Sequence, residues 1–212
     1  MHALLSLLLL ACQLPASAGP PADGDLPQAA PPLAKGQAEA IFAAGCFWCA
    51  ESDFEKLPGV IDAVSGYAGG HVDHPTYKVV GTGATGHTEA IRVIYDPKKV
   101  SYGALLHHYW RHVDPFDGDG QFCDQGSQYR PALFPVDEAQ RAAATKSKAE
   151  IEHLLGKPVA VKLEEPGTFW VAETYHQDFY KKNPSHYQRY RQGCGRDARV
   201  AAIWAEVEAK HP

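Results

Sequence analysis

Hydrophobic and polar positions along the chain switch between the two-residue period of strands and the 3.6-residue period of helices. The pattern predicts the element order β-α-β-β-α-β-α-β-α-α. The predicted strands cover residues 39–45, 60–70, 87–97, 131–136 and 158–165, and the predicted helices cover 47–57, 101–113, 137–155, 172–182 and 197–210. Because strands and helices mix within one unit, we expect an α+β fold. It would be an α/β two-layer sandwich, with a mixed sheet, flanking helices and a ferredoxin-like core.

Two predicted helices show their pattern most clearly. In the helix 101–113, Ser101 can cap the first turn, and apolar residues then recur at helical spacing. The helix 197–210 places four apolar residues on one face, namely Val200, Ile203, Trp204 and Val207. The segment 87–97 alternates imperfectly, so its Ile, Val and Tyr content, rather than its period, favours a strand.

The first 37 residues show neither the strand period nor the helix period. The apolar run "ALLSLLLLA" at 3–11 is too short to span a bilayer as a helix, and "ASA" follows at 16–18. We therefore predict a signal peptide over 1–18 and a Pro/Ala-rich linker over 19–37. A buried N-terminal helix is the alternative. Cys12, placed after "LLLLA", also resembles a lipoprotein acylation site.

Composition narrows the function classes. The chain has 212 residues, of which 45% are hydrophobic and 21% are charged, and this is enough for one domain with a real core. The formal net charge is −5 and there is no basic run. Nucleic-acid binding needs clustered Lys and Arg, so we expect no nucleic-acid partner. We also expect a monomer.

Four cysteines remain if the signal peptide is removed after Ala18: Cys46, Cys49, Cys123 and Cys194. In an exported protein an even number suggests structural disulfides. A domain of this length does not need such staples, however. The cysteines therefore need a chemical interpretation as well.

The stretch "GCFWC" at 45–49 lies where a predicted strand meets a predicted helix. Gly45 allows a tight turn there, and the helix start should lower the pKa of the Cys46 thiol. Cys49 lies about one helical turn further on, the spacing of a dithiol that closes reversibly. Two small buried hydrophobic residues are the structural alternative.

Three chemical interpretations of this stretch compete. A thioredoxin-like oxidoreductase uses C-x-x-C at a helix start, although Phe47 and Trp48 are bulky for that class. A zinc site would need a second pair, and Cys123 and Cys194 are isolated. In a thiol enzyme, Phe47 and Trp48 would form an apolar pocket for a methyl or thioether group. A non-catalytic binding module stapled by disulfides also remains open.

Longer motifs resemble those of the A-type peptide methionine sulfoxide reductases, from about Phe42 to Pro184. They are "GCFWC", "GYAGG", "PTYKVV" with "GTGATGHTEAIRVIYDP", "GSQYRPALF" and "YHQDFYKKNP". The resemblance implies that 38–212 is a catalytic domain that reduces methionine-S-sulfoxide, free or in proteins. It also implies that no cofactor or metal is bound and that an external thioredoxin or other dithiol reductant recycles the enzyme.

The resemblance assigns roles to single residues. The Cys46 thiolate would attack the sulfoxide sulfur, and Glu89 would donate a proton to the oxygen. A carboxyl group in an apolar pocket should have a raised pKa, as such a donor requires. Polar groups around the oxygen would be Tyr67, Asp124 and Tyr129, and Phe47 with Trp48 would hold the methyl group.

After release of methionine, Cys46 would be left as a sulfenic acid that a second thiol converts to a disulfide. Cys49 and Cys194 both qualify. We expect Cys49 to react first and Cys194, flanked by Gly193 and Gly195, to take the disulfide on afterwards. Cys123 has no assigned role and could be a bystander.

Two further expectations concern metals and location. His108 and His112 have a spacing that can bind a metal, but we interpret them as a polar helix face, and His176 as structural. The signal peptide predicts a periplasmic or secreted protein, with a lipid anchor at Cys12 as the alternative to a free N-terminus.

Overall fold

The computed structural model describes residues 26–210, and seven of its strands form one sheet in the order β1-β9-β3-β4-β2-β7-β8. The strands of this sheet are β1 (Gln28–Ala29), β2 (Ala38–Ala43), β3 (Val60–Ala68), β4 (Thr88–Tyr95), β7 (Ala132–Phe134), β8 (Lys162–Leu163) and β9 (Trp170–Val171). All neighbours are antiparallel except β7 and β8, which are parallel. A separate hairpin pairs β5 (Gly120–Gln121) with β6 (Asp124–Gln125).

The helices lie between and after these strands. They are α1 (Phe47–Phe54), α2 (Tyr77–Val80), α3 (Tyr102–Trp110), α4 (Glu138–Leu155), α5 (Phe179–Lys182), α6 (Pro184–Gly193) and α7 (Arg196–Lys210), with a 3-10 turn at Ser127–Tyr129. The run β2-α1-β3-β4-α3-β7 has the spatial strand order β3-β4-β2-β7. This is the split β-α-β arrangement of a ferredoxin-like core. The predicted α+β fold with a mixed sheet and flanking helices is confirmed.

The larger core lies on the sheet face that α1 and α3 cover. Phe42 on β2 stacks on Phe54 of α1, with 5.1 Å between ring centroids, and on Tyr109 of α3, at 5.4 Å. Both helices therefore pack on one face because alternate residues of β2 point there. The other residues of β2, such as Ile41, point to the opposite face of the sheet. There they form a smaller cluster with residues of neighbouring strands, such as Phe134 of β7.

Helix ends follow local chemistry. The side chain of Ser101 accepts the amide hydrogen of Ala104 at the start of α3, as predicted. Asp137 caps α4 in the same way through the amide of Gln140. Gly156 ends α4 in the left-handed conformation, which costs glycine little.

The prediction of a helix over 172–182 was wrong for most of its length, since only Phe179–Lys182 is helical. Asp178 has φ +54°, a left-handed conformation that interrupts a right-handed helix. The strand predicted over 158–165 is also shorter in the structure, where it covers only Lys162–Leu163. Helix α6 was not predicted at all. Pro184, which suggested a stop, occupies the first turn of α6, where no amide hydrogen is required.

Two residues of the predicted linker 19–37 belong to the sheet. Gln28 and Ala29 pair with Val171 and Trp170 at its edge. The amide of Ala30 then bonds to the carbonyl of Phe169 at 3.0 Å. The predicted signal peptide and Cys12 lie outside the described residues. Within 26–210, no helix combines the length and the apolar character needed to cross a bilayer.

Candidate active site

The turn from β2 into α1 places Cys46 at the N-cap of α1. Gly45 has φ +77°, and a Cβ at this position would lie 2.5 Å from Cβ of Gln121. Glycine is therefore required both for the backbone conformation and for the close approach of the β5–β6 hairpin. The structure agrees with the tight turn that we predict from the sequence at Gly45.

A small cavity of about 60 Å³ opens beside Cys46. It is lined by Cys46, Phe47, Trp48, Tyr77, Glu89, Asp124, Tyr129 and Tyr190. Six of the residues singled out in the sequence thus meet in one place, although they come from four separate segments of the chain. Tyr77 and Tyr190 were not predicted.

Glu89 lies on β4 with its side chain turned to the start of α1. It is 2% exposed, and one carboxylate oxygen accepts the amide hydrogen of Phe47 at 2.9 Å. Burial raises the pKa of Glu89 well above its ordinary value, and the negative charges of Asp124 and Cys49 add to the effect. The hydrogen bond from Phe47 opposes this shift only in part. The carboxyl group therefore keeps its proton to higher pH than an exposed glutamate does.

The two thiols of the motif differ in acidity. Burial, with further contributions from Cys49 and Glu89, raises the pKa of Cys46 well above the ordinary value. This is opposite to the lowering that we predicted from the helix start, because Cys46 is only 6% exposed and desolvation outweighs the helix dipole. A hydrogen bond from Cys46 lowers the pKa of Cys49, and the charges of Arg196 and Arg191 assist. The pair therefore ionises first at Cys49.

Aromatic packing fixes the walls of the cavity. The ring of Trp48 stacks on Phe179 with 3.7 Å between centroids, and its indole N–H donates to Nδ1 of His176 at 3.0 Å. His176 also packs on Phe47, with centroids 4.8 Å apart. The rings of Phe47 and Trp48 thereby present two flat apolar surfaces to the cavity, where a small apolar group can bind. His176 contacts both rings and orients them.

Tyr67 does not line the cavity. It is fully buried on β3, opposite Glu89 on β4, and its hydroxyl donates to Glu173 at 2.7 Å. The other carboxylate oxygen of Glu173 accepts the amide hydrogen of Tyr77 at 2.7 Å. A hydrogen bond joins the hydroxyl groups of Tyr77 and Tyr129. Tyr77 thus occupies the place beside Tyr129 that we expected for Tyr67.

The cysteines outside the motif form a disulfide, Cys123–Cys194, across 71 residues of sequence. Cys46 and Cys49 are free thiols. The disulfide lies close to the cavity, since one carboxylate oxygen of Asp124 is 3.8 Å from the sulfur of Cys194. The same oxygen accepts a short hydrogen bond from the hydroxyl of Tyr190.

A family model described as peptide methionine sulfoxide reductase matches residues 38–208. The chain belongs to this family. It is 50% identical to peptide methionine sulfoxide reductase MsrA 2 of Caulobacter vibrioides, over 82% of this chain and 90% of the relative. It is also 50% identical to the MsrA/MsrB protein of Vibrio cholerae, over 82% of this chain. It spans about half of that relative, 47% of its length.

Solved structures agree with this family. The reduced form of Mxr1 from Saccharomyces cerevisiae has a TM-score of 0.68 and 32% identity, covering 74% of this chain and 90% of that one. Membership in the family makes the protein an oxidoreductase that reduces methionine sulfoxide by thiol–disulfide chemistry. The thiol cavity around Cys46 is the place in the described residues where that chemistry fits.

Two of the cavity residues were missed, for different reasons. Tyr77 lies in "PTYKVV", one of the stretches that carry the family resemblance, so closer reading of that motif could have found it. Tyr190 lies in the polar stretch "QRYRQ" at 188–192, on a helix that was not predicted, and no local signal marks it. Its position depends on the return of α6 across the start of α1.

The histidine pair of α3 serves the fold. Ring nitrogens of His108 and His112 lie 3.0 Å and 2.8 Å from the backbone carbonyls of Asp53 and His108. Burial and the neighbouring His112 lower the pKa of His108 to about 4. The contact of His108 with Asp53 ties α3 to α1, whereas that of His112 stays within the same segment.

Proposed function

We propose that the cavity reduces the S epimer of methionine sulfoxide, free or within proteins, with Cys46 as the nucleophile and Glu89 as the proton donor. The observation that carries this assignment is that a thiol and a buried carboxyl group share one small aromatic-walled cavity. Enzymes for methionine sulfoxide act on one sulfoxide epimer each. Phe47 and Trp48 would hold the methyl group.

The first step needs a thiolate at Cys46. Its thiol is hydrogen-bonded to Cys49, whose thiolate Arg191 and Arg196 stabilise. Transfer of the Cys46 proton to Cys49 would therefore create the nucleophile without moving a charge into the cavity from solvent. The Cys46 thiolate then attacks the sulfoxide sulfur.

The sulfoxide oxygen must gain a proton as the sulfur–oxygen bond breaks. Glu89 supplies that proton, because burial keeps the carboxyl group neutral. Tyr77 and Tyr129 would direct hydroxyl groups at the developing charge on oxygen, and Asp124 would hold water or the substrate's amide hydrogen. Attack thus joins the sulfur of Cys46 to the substrate sulfur, and the protonated oxygen departs as hydroxide. The hydroxide then attacks the sulfur of Cys46, the sulfur–sulfur bond breaks to release methionine, and Cys46 is left as a sulfenic acid.

Cys49 is the proposed resolving residue. Its thiolate attacks the sulfenic sulfur of Cys46, a sulfur–sulfur bond forms, and the oxygen leaves as water. Cys194 is bonded to Cys123, so it has no thiol to offer until that bond is reduced. Transfer of the disulfide to Cys194 would come only after such a reduction.

Recycling would use a thioredoxin-like protein or another dithiol, which takes up the Cys46–Cys49 disulfide by exchange. The yeast relative Mxr1 has been solved in complex with Trx2, which supports this class of partner. The chemistry above requires no bound prosthetic group or metal. We also propose that the enzyme works as a monomer without nucleic acid.

We propose that the protein is exported to the periplasm or secreted, with a signal peptide over 1–18. The apolar run at 3–11 and "ASA" at 16–18 support cleavage before Gly19. The Cys123–Cys194 disulfide also favours an oxidising compartment. Mass measurement of the exported protein distinguishes a free Gly19 from an acylated Cys12, and an intact Met1 would contradict export.

The test of the reaction offers a methionine-S-sulfoxide peptide to the reduced protein and counts the methionine formed. Without added reductant, wild type and Cys49→Ser should each form about one methionine per chain, and Cys46→Ser should form none. With dithiothreitol, wild type should continue to turn over.

Two controls give this test its specificity. A methionine-R-sulfoxide peptide should be left unreduced, and insulin disulfides should be reduced poorly. Efficient insulin reduction with an untouched sulfoxide would indicate a thioredoxin-like oxidoreductase instead. Peptide mapping after one turnover should show a Cys46–Cys49 bond, and a Cys46–Cys194 bond would assign resolution to Cys194.

A further inference from the structure

Tyr190 is the cavity residue to which the reaction described above gives no role. Its side chain lines the cavity beside Cys46 and packs against the cluster that holds this cysteine, and its hydroxyl donates a short hydrogen bond to Asp124. The ring packs edge-on against Trp48, with 5.9 Å between centroids. Among the phenols that line the described cavity, Tyr190 thus combines a place beside Cys46 with a hydrogen bond to a carboxylate.

A phenol has one hydrogen to donate. While Cys46 is a thiol, that hydrogen goes to Asp124. When Cys46 loses its proton, a full negative charge appears on the sulfur beside the same hydroxyl. A hydrogen bond to a charged acceptor is stronger than one to a neutral acceptor, so the hydrogen can turn from Asp124 to the thiolate.

The position of Tyr190 depends on contacts made by the end of α6. Cys194 follows directly after that helix, and its bond to Cys123 ties the helix end to the β5–β6 hairpin, which carries Asp124. Gly193 and Gly195 flank Cys194, and neither would place a Cβ within 4 Å of any atom. Side chains therefore do not crowd the two glycines, and the disulfide is a covalent link between this junction and the hairpin.

We propose that Tyr190 is a further catalytic residue, which donates a hydrogen bond to the Cys46 thiolate, and that the Cys123–Cys194 disulfide is a brace that holds Tyr190 and Asp124 in place for it. The inference rests on the nucleophile role proposed for Cys46. Reduction of the brace by a dithiol gives two thiols and one oxidised dithiol, and should slow the first step.

A brace differs from an electron relay in the step that it affects. A relay acts after methionine has left, so its loss spares the first turnover and slows recycling. A brace acts before methionine leaves, so its loss slows the first turnover itself. Single-turnover kinetics without reductant, using protein whose Cys123–Cys194 bond is verified by peptide mapping, therefore separates the two.

The decisive variant is Tyr190→Phe, which removes one oxygen and keeps the ring. We expect its single-turnover rate to fall roughly tenfold to a hundredfold, the usual cost of one hydrogen bond to a charged group. The pH dependence of Cys46 alkylation by iodoacetamide, measured in a Cys49→Ser background, should move to higher pH. Tyr180→Phe is the matched control, since Tyr180 bonds to Glu55 and does not line the cavity. It should leave both measurements unchanged.

The double variant Cys123→Ser/Cys194→Ser should slow the single turnover in the same direction. If the brace acts through Tyr190, the triple variant will be no slower than Tyr190→Phe alone. Far-UV circular dichroism shows whether the double variant is folded, and Tyr190→Phe carries the test of the hydrogen bond if it is not.

Two results would overturn the inference while leaving the sulfoxide reduction intact. One is a Tyr190→Phe variant with wild-type single-turnover rate and alkylation profile. The other is a folded double variant that forms its first methionine at the wild-type rate and fails only to recycle, which would make the disulfide a relay. If wild type itself forms no methionine, the proposed reaction fails instead.

Discussion

The two cysteine pairs of this protein lie near one cavity but differ in almost every physical respect. Cys46 and Cys49 are three residues apart, buried on one helix, and free. Cys123 and Cys194 are 71 residues apart, join two surface segments, and are bonded. Packing in a buried cluster fixes the first pair. The second pair covalently joins the β5–β6 hairpin to the end of α6.

The difference shows that burial determines whether a cysteine serves as a reactive thiol or as a covalent constraint on the chain. Burial raises the pKa of a thiol, because the thiolate is not solvated. Neighbouring charges and hydrogen bonds then determine which thiol of the pair ionises. A thiol on a loop gains little from its surroundings, and its bond constrains the chain instead. Substitutions that affect one pair and spare the other can test this contrast.

The largest effect is expected at the buried pair. Glu89→Gln removes the proton donor, and the single-turnover rate should fall by roughly 10²–10⁴. The wild-type rate should decline as pH rises through the raised pKa of Glu89, because the protonated form is the active one. The variant should lack that decline. Rapid-quench measurement of methionine between pH 5 and 9 checks both points.

Glu150→Gln on the exposed face of α4 is the matched control and should behave as wild type. A Glu89→Gln variant that kept the wild-type rate and pH profile would show that another group donates the proton.

An intermediate effect is expected at the bonded pair. Cys123→Ser/Cys194→Ser removes a covalent closure of the chain, and the free energy of unfolding should fall by about 2–4 kcal/mol. Urea unfolding followed by circular dichroism measures the change. Added reductant should lower the stability of wild type and leave the double variant unchanged. Equal wild-type stability with and without reductant would contradict a bracing role.

The smallest effect concerns Glu51, which ties α1 to the segment before α5. It is 1% exposed and accepts hydrogen bonds from Ser65 and from the amide of Asp178. Burial raises its pKa from 4.5 to about 7. Between these values the folded chain binds a proton that the unfolded chain releases, so stability falls as pH rises through this window.

Glu51→Gln should remove that loss. The decline in unfolding free energy between pH 5 and pH 8 should be smaller than in wild type by about 2–3 kcal/mol, at about 1.4 kcal/mol per pKa unit. Urea unfolding at the two pH values measures it. Identical declines in both proteins would show that Glu51 is ionised throughout.

Local periodicity was sufficient to predict the elements that bury one continuous face. The strands β2, β3 and β4 and the helices α1, α3, α4 and α7 are of this kind. Two-residue strands such as β1 and β9 have too few positions to show a period. The break at Asp178 depends on a left-handed residue whose amide is held by Glu51, a contact between segments far apart in sequence.

The site was predictable to the extent that its residues lie in extended motifs. Cys46, Glu89 and Asp124 were found in this way, whereas Tyr190 and the pairing of Cys123 with Cys194 depend on where α6 lies in three dimensions. The acidity of Cys46 was predicted in the wrong direction, because sequence reveals a helix start but not how deeply the sulfur is buried.

The two short strands at the margins of the sheet bear on aggregation. β1 and β8 are each two residues long, and Pro27, Pro31 and Pro166 stand beside them. An open strand edge can pair with another chain, but a short edge offers few hydrogen bonds, and proline has no amide hydrogen to donate. Within the described residues, the edges of the sheet therefore disfavour the edge-to-edge pairing through which chains aggregate.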